Sequence, residues 1–126
     1  MSEKLIDQSK PMFPISIVAN ILSVHQRTLR IYDDENILRP DRSEKNRRLY
    51  SYHDIERGKF IQYLTRELGI NLAGVKIIFK LLDDFRITPN EYLGLISEIA
   101  EKVGITEEMQ AENKIKLSNR GRKPEK

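Results

Sequence analysis

The side chains in this chain that could do chemistry are mostly cationic and amide groups, and they lie close together. His25-Gln26-Arg27-Thr28 is followed by Arg30, and the segment Arg39–Arg48 holds five bases, two acids and no apolar residue. Gln pairs bidentately with adenine and Arg with guanine, so Gln26 and Arg27 are the expected base readers, with His25 and Thr28 beside them. Arg30 lies one helical turn further on and suits a phosphate oxygen, as do Arg42, Lys45, Arg47 and Arg48 in the basic segment. Short helical hairpins also occur in proteins that never touch nucleic acid. The basic segment tips the expectation toward DNA.

Other chemistries find little support. The chain has 2 His and no Cys, which removes disulfides, thiolate-ligated zinc, iron–sulfur clusters and thiol catalysis. Neither His25 nor His53 has metal-ligand spacing, and no Gly-rich phosphate loop or nucleophile motif occurs. His53 reads as a residue near a helix start. The adjacent pairs Asp33-Asp34 and Asp83-Asp84 point in different directions on a helix and make no acid–base couple. No enzyme activity, cofactor or metal is expected. No apolar run reaches the roughly 18–20 residues of a membrane span, and Met1–Lys10 lacks a signal peptide's apolar stretch. A cytoplasmic location is the expectation.

The charge is unevenly placed. The 126 residues carry 22 Lys+Arg against 19 Asp+Glu, a formal +3. Residues 114–126 alone hold six bases and one acid, so the remainder is slightly negative. A basic end of this kind suits an anionic partner, although a solvated terminus gives the same arithmetic. Within it, Arg120-Gly121-Arg122-Lys123-Pro124 approximates an AT-hook core, in which Arg-Gly-Arg lies in a narrow A·T minor groove. Arg120, Arg122 and Lys123 are therefore weaker candidate contacts. A generic cationic arm, acting through counterion release, is the simpler reading.

Several elements must position these residues. Met1–Lys10 reads as an arm leading into a short strand around Phe13. Ile15, Val18, Ala19 and Leu22 are spaced i, i+3, i+4, i+7, which predicts a helix with one buried face. Ser23-Val24 breaks it, and His25–Asn36 resumes through Leu29 and Tyr32, with Thr28, Arg30 and Asp33 off that apolar line. This is a helix-turn-helix pattern. Arg39–Arg48, between Leu38 and Leu49-Tyr50, predicts a β-hairpin with Asn46 at positive φ. A helix from Ser51 or His53 runs to about Leu68, with Gly69 as its stop. Asn71 caps the next helix, whose stripe is Leu72, Val75, Phe79 and Leu82, widened by Ile78 and Leu81 as if buried from two sides. Thr88-Pro89 starts another with Tyr92, Leu95, Ile96, Ile99 and Val103 on one face. Thr106–Asn113 can continue as helix, and beyond Lys114 the composition is that of a disordered tail.

Ile15-Ser16-Ile17-Val18-Ala19, Thr28-Leu29-Arg30-Ile31-Tyr32-Asp33, Arg48-Leu49-Tyr50-Ser51 and Asp54-Ile55 together resemble the MerR family of winged-helix regulators, over about Phe13 to Leu82. Gly69-Ile70-Asn71-Leu72-Ala73-Gly74-Val75-Lys76 makes it most like the family's HspR branch of heat-shock repressors, and GlnR-type repressors share a similar segment. The resemblance implies a winged-helix homodimer on an inverted-repeat operator, with the second helix in the major groove and the wing on the backbone. Arg30 and Tyr32 match the family's Arg and second Tyr at the DNA, Arg48 the wing arginine, and Tyr50 the aromatic that closes the hairpin. HspR-like proteins repress chaperone operons, often with a chaperone as co-repressor. Four positions depart from the pattern: Ile31 replaces the first Tyr, Ser23 the turn Gly, His25 the helix cap, and Asn46-Arg47 the wing's Gly-Tyr.

The expected fold is mainly α: a winged helix-turn-helix with a small hairpin wing, then a dimerisation helix and a basic tail. The expected divisions are an arm at 1–12, a DNA-binding domain at 13–86, a dimerisation region at 87–113 and a tail at 114–126. Tyr92, Leu95, Ile96, Ile99 and Val103 either meet a second copy or fill the chain's own core, and the dimer is the favoured expectation. The functional expectation is a repressor of heat-shock or chaperone genes. Alternatives are a GlnR-like metabolic repressor, an excisionase-like DNA-bending protein, and an adaptor that uses only its helical face.

Overall fold

The structure is a computed structural model that describes residues 7–120, with side chains to residue 116. Its described residues form six α-helices, one π-helical turn and a three-stranded antiparallel sheet of order β1-β3-β2. The chain divides within its third helix into two compact units, Met1–Lys59 and Phe60–Lys126. That division falls earlier in the chain than the domain boundary expected after residue 86.

The first unit is built around the helix-turn-helix. β1 (Phe13–Pro14) leads into α1 (Ile15–Leu22), whose inner residues Val18, Ala19 and Leu22 are buried as the spacing predicts. Ser23 ends α1 in the left-handed region at φ 55°, so the turn takes the backbone a glycine favours with a side chain in place. α2 (Gln26–Asp34) follows at once and buries Leu29, Tyr32 and Asp33. Asp33 is thus one turn below Leu29 on the inner face, which corrects the expectation that it lies off the buried line. Its burial is explained by its partners, described below.

The wing is a hairpin of β2 (Asp41–Arg42) and β3 (Arg48–Tyr50), with Asp41 opposite Leu49 and Arg42 opposite Arg48. Asn46 takes φ 63° at its tip, and its N–H donates to Ser43 O at 2.8 Å. β1 pairs on the other side of β3, Phe13 opposite Tyr50. α3 (Tyr52–Gln62) starts with a reciprocal cap: Ser51 N–H donates to Asp54 Oδ2 at 2.9 Å, and Asp54 N–H donates to Ser51 Oγ at 3.1 Å. A Cβ at Gly58 would lie 2.6 Å from Leu22 Cδ1, so this position lets α3 approach α1.

The second unit takes in the end of α3 from Phe60 and continues in a π-helical turn (Tyr63–Glu67) that the periodicity does not reveal. Thr65 Oγ1 donates to Ile61 O at 2.9 Å, and Leu68 N–H reaches back to Tyr63 O at 3.2 Å, which widens the turn. Gly69 (φ 69°) then stops it, and Asn71 Oδ1 accepts from Gly74 N–H at 2.9 Å to cap α4 (Leu72–Asp84). α4 buries Val75, Phe79 and Leu82, but Leu81 is 50% exposed and borders an open groove instead of a second core face. α5 (Pro89–Lys102) begins with Thr88 N–H donating to Glu91 Oε1 at 3.0 Å. α6 (Glu107–Arg120) follows Gly104 (φ 84°).

Residues 114–120 are therefore helical, contrary to the tail expected from Lys114 onward. The cause is tertiary, because Asn113 Nδ2 donates to Glu67 O and Lys114 Nζ pairs with Glu67 Oε1, both at 2.7 Å. Local composition carries no sign of these anchors. No described helix is long and apolar enough to cross a membrane.

Candidate nucleic-acid interface

α2 has two faces. Leu29 (0% exposed), Tyr32 (8%) and Asp33 (7%) point inward, whereas Arg27, Arg30, Ile31 and Asp34 recur at i, i+3, i+4, i+7 on the outside. Gln26 and Thr28 are half-buried beside them, and Gln26 Oε1 accepts from Arg30 Nη2 at 3.2 Å. His25 sits before the helix in extended backbone, is exposed, and makes no side-chain capping bond. The start of α2 thus offers unsatisfied N–H groups and exposed polar side chains together. The expected readers Gln26 and Arg27 and the expected phosphate contact Arg30 lie on or beside this outer face.

The wing supplies the second cationic surface. Lys45 and Arg47 are exposed at its tip. Arg39, Arg42 and Arg48 converge instead on one carboxylate, that of Asp33. Arg48 Nε donates to Oδ2 at 2.8 Å, Arg42 Nη2 to the same oxygen at 3.4 Å, and Arg39 Nε to Oδ1 at 3.4 Å. The side chains of Arg48, Arg42 and Arg39 are 20%, 44% and 67% exposed, against 8% for Asp33. A carboxylate buried alone would be costly; three guanidinium groups compensate it and leave an excess of positive charge.

Two expected contacts are placed differently. Tyr50 is fully buried and its hydroxyl has no hydrogen-bond partner, so it fills the core under the wing and does not face DNA. Burial pushes its phenol up to about 12. Tyr32 is also a core residue, and its backbone carbonyl accepts from Ile37 N–H at 2.9 Å as the chain turns toward the wing. Both aromatic rings support the interface from behind. Asp33 and Arg39 are not among the expected site residues. The signal that finds Asp33 is its register, one turn from Leu29, combined with the arginine-rich hairpin that follows.

α5 divides its expected interface between two roles. Tyr92 is 2% exposed and packs with Phe60 and Phe79, ring centroids 5.0 and 5.8 Å away. It belongs to the chain's own core, because it lies on the same helix face as buried Ala100. Ile96 is half-buried between them. Leu95, Ile99 and Val103 are 36%, 45% and 67% exposed. Leu95, Ile96 and Ile99 line an open apolar groove of about 450 Å³ with Ile78, Leu81 and Phe85. The side chain of Arg120, and all of Arg122 and Lys123, lie outside the described residues. Among the described residues, no group of three or more His, Asp or Glu side chains is placed to hold a metal ion.

Comparison with known proteins agrees with this arrangement. Residues 13–82, more than half of the chain, match the family model for MerR HTH family regulatory proteins. A protein of Streptomyces coelicolor named as heat shock protein HspR is 40% identical over 76 residues, 60% of this chain and 50% of that protein. The HTH-type transcriptional regulator GlnR of Bacillus anthracis is 34% identical over 77 residues, 61% of this chain and 59% of the relative, and its Bacillus cereus counterpart matches equally. The match thus spans between half and three-fifths of these relatives. With its helix-turn-helix, hairpin wing and family match in place, the chain belongs to the MerR family of helix-turn-helix regulatory proteins.

Proposed function

We propose that the protein is a cytoplasmic transcriptional repressor that binds an inverted-repeat operator in double-stranded DNA as a homodimer and controls heat-shock or chaperone genes. The observation that carries DNA recognition is the outward row Arg27, Arg30 and Ile31 on α2, in the same unit as a wing with exposed Lys45 and Arg47. Gln26 and Arg27 read base edges, while Arg30, Lys45 and Arg47 grip phosphate. The assignment to heat-shock genes rests on the 40% identity to HspR.

A second copy covers the exposed part of α5. Leu95 and Ile99 of α5, Leu81 of α4 and Phe85 just after it are exposed and line one apolar groove, and Val103 is exposed at the end of α5, a grouping of apolar side chains that suits a protein–protein interface. Two-fold symmetry then matches the symmetry of the operator. A chaperone acts as co-repressor, and the basic end that includes Arg120, Arg122 and Lys123 adds affinity through counterion release. A GlnR-like metabolic role is the second reading, favoured by the 34% identity to GlnR.

The test compares fluorescence anisotropy on duplexes from upstream of the source organism's chaperone operons and of its glutamine-synthetase gene. Tighter binding to the chaperone duplexes is expected. Preference for the glutamine-synthetase duplex would move the assignment to the GlnR-like role, and equal weak binding to both would overturn each.

A further inference from the structure

We propose that Asp33 is the positioning residue of the DNA-binding surface: its buried carboxylate ties the wing to α2 through Arg48 and holds Arg42 and Arg39 at the rim for transfer to phosphate. The inference deepens the DNA-binding reading and rests on it. Its basis is the geometry of four side chains within one compact unit.

Arg42 and Arg48 are directly opposed across the hairpin, an arrangement of like charges that by itself weakens strand pairing. Asp33 Oδ2 accepts from both, so the carboxylate that is buried under the wing is also what allows the two arginines to face each other. The three contacts are unequal. Arg48 is the most covered and the shortest at 2.8 Å, the geometry of a charge-assisted anchor. Arg42 and Arg39 reach the carboxylate at 3.4 Å and remain 44% and 67% exposed. Each guanidinium carries five N–H donors, so both have donors left for an incoming phosphate while the anchor stays in place. Arg42 Nη1 also donates to Asn46 O at 3.2 Å, which connects the carboxylate to the hairpin tip. The wing arginine that the family resemblance assigns to DNA, Arg48, is therefore an anchor, and its neighbours make the contacts.

Charge alone and positioning give opposite signs for one substitution. Asp33→Asn removes a negative charge from a cationic surface, which strengthens binding to any polyanion if only the field matters. If Asp33 positions the wing, the same change releases the hairpin and weakens the specific complex. Two probes are needed: the duplex that the wild-type chain selects from a random pool, and a random-sequence duplex of equal length. Asp33→Asn is expected to weaken the selected duplex at least tenfold and to leave the random duplex unchanged or tighter. Trypsin is expected to cleave the wing after Lys45 or Arg47 several times faster in the variant, with circular dichroism unchanged. Arg42→Gln and Arg39→Gln should each lower the salt slope by about 0.9, one phosphate contact, and Arg48→Gln by clearly less.

Tighter binding of Asp33→Asn to both duplexes, or wing cleavage at the wild-type rate, would overturn the proposal. If Asp33→Asn loses its helical signal, Arg48→Lys supplies the reading, because it keeps the charge but removes the Nε donor. It should then show the same faster cleavage and weaker selected binding, and wild-type values in both would overturn the anchor. A wild-type chain that selects no duplex would overturn DNA binding itself, and the cleavage rates would still report on the tie between wing and helix.

Discussion

Gln26 and Arg30 share a hydrogen bond of 3.2 Å in the free protein, so a base or phosphate must compete with that bond for either side chain. Arg27 has no such constraint in its position one residue on. Gln26→Ala or Arg27→Ala is expected to cost about 1–3 kcal/mol at particular base pairs and little at others. Arg30→Ala should weaken all sequences alike. Because Gln26 and Arg30 are coupled, their double variant should deviate from additivity, which binding to single-base-substituted duplexes will measure. Tyr50 gives a stability test at the same scale. Its hydroxyl is buried without a partner, so Tyr50→Phe is expected to leave thermal stability unchanged or raise it by up to about 1 kcal/mol. The folded-state phenol lies above its unfolded value of 10.0, at about 12. The unfolded chain therefore loses this proton first, and the Tyr50 contribution to stability, fully present below pH 10, falls away between about pH 10 and 12. Alkaline unfolding curves of Tyr50→Phe should lack that part of the decline.

Among the elements, those governed by local rules are legible in the amino-acid order itself. Ile15–Leu22 needs only its apolar spacing, Asn71 its capping side chain, Thr88-Pro89 a helix start, and Asn46 its tolerance of positive φ. Ser23→Gly should stabilise the turn by about 0.5 kcal/mol, since removal of left-handed strain outweighs the added freedom of the unfolded chain. Asn71→Ala should cost about 1 kcal/mol through loss of the bond to Gly74 N–H. Urea denaturation measures both. Elements set by distant partners are not legible in that way. The π turn depends on how Thr65 bonds back to Ile61, and α6 extends past Lys114 because Glu67, far away in sequence, holds Asn113 and Lys114. Within the site, the outward residues of α2 can be read from their order. Asp33 is legible only when its register, one turn from Leu29, is read together with the arginines of the wing, because hydropathy alone puts a carboxylate outside. The direction of Tyr92 is hidden for a related reason: α5 is apolar on adjoining faces, one turned to Phe60 and Phe79 and one left open.

For the whole molecule, the uneven charge has a physical reading. The formal +3 conceals a cationic wing and a basic end on a chain that is otherwise slightly acidic. Within the first unit the wing's excess of bases adds to the attraction for DNA beside α2. Ile99→Asp places a charge on the exposed apolar stripe without touching buried Tyr92 or Ala100, and is expected to convert a dimer to a monomer by sedimentation. An unchanged dimer would place the interface elsewhere. The measurement that bears most directly on the function is selection of bound duplexes from a random DNA pool by the 126-residue chain. A winged-helix dimer should enrich a palindrome whose half-sites are about one helical turn apart, or a multiple of it, with preferences that change in Gln26→Ala and Arg27→Ala. Enrichment of nothing, or of an asymmetric motif that both variants select unchanged, would contradict it.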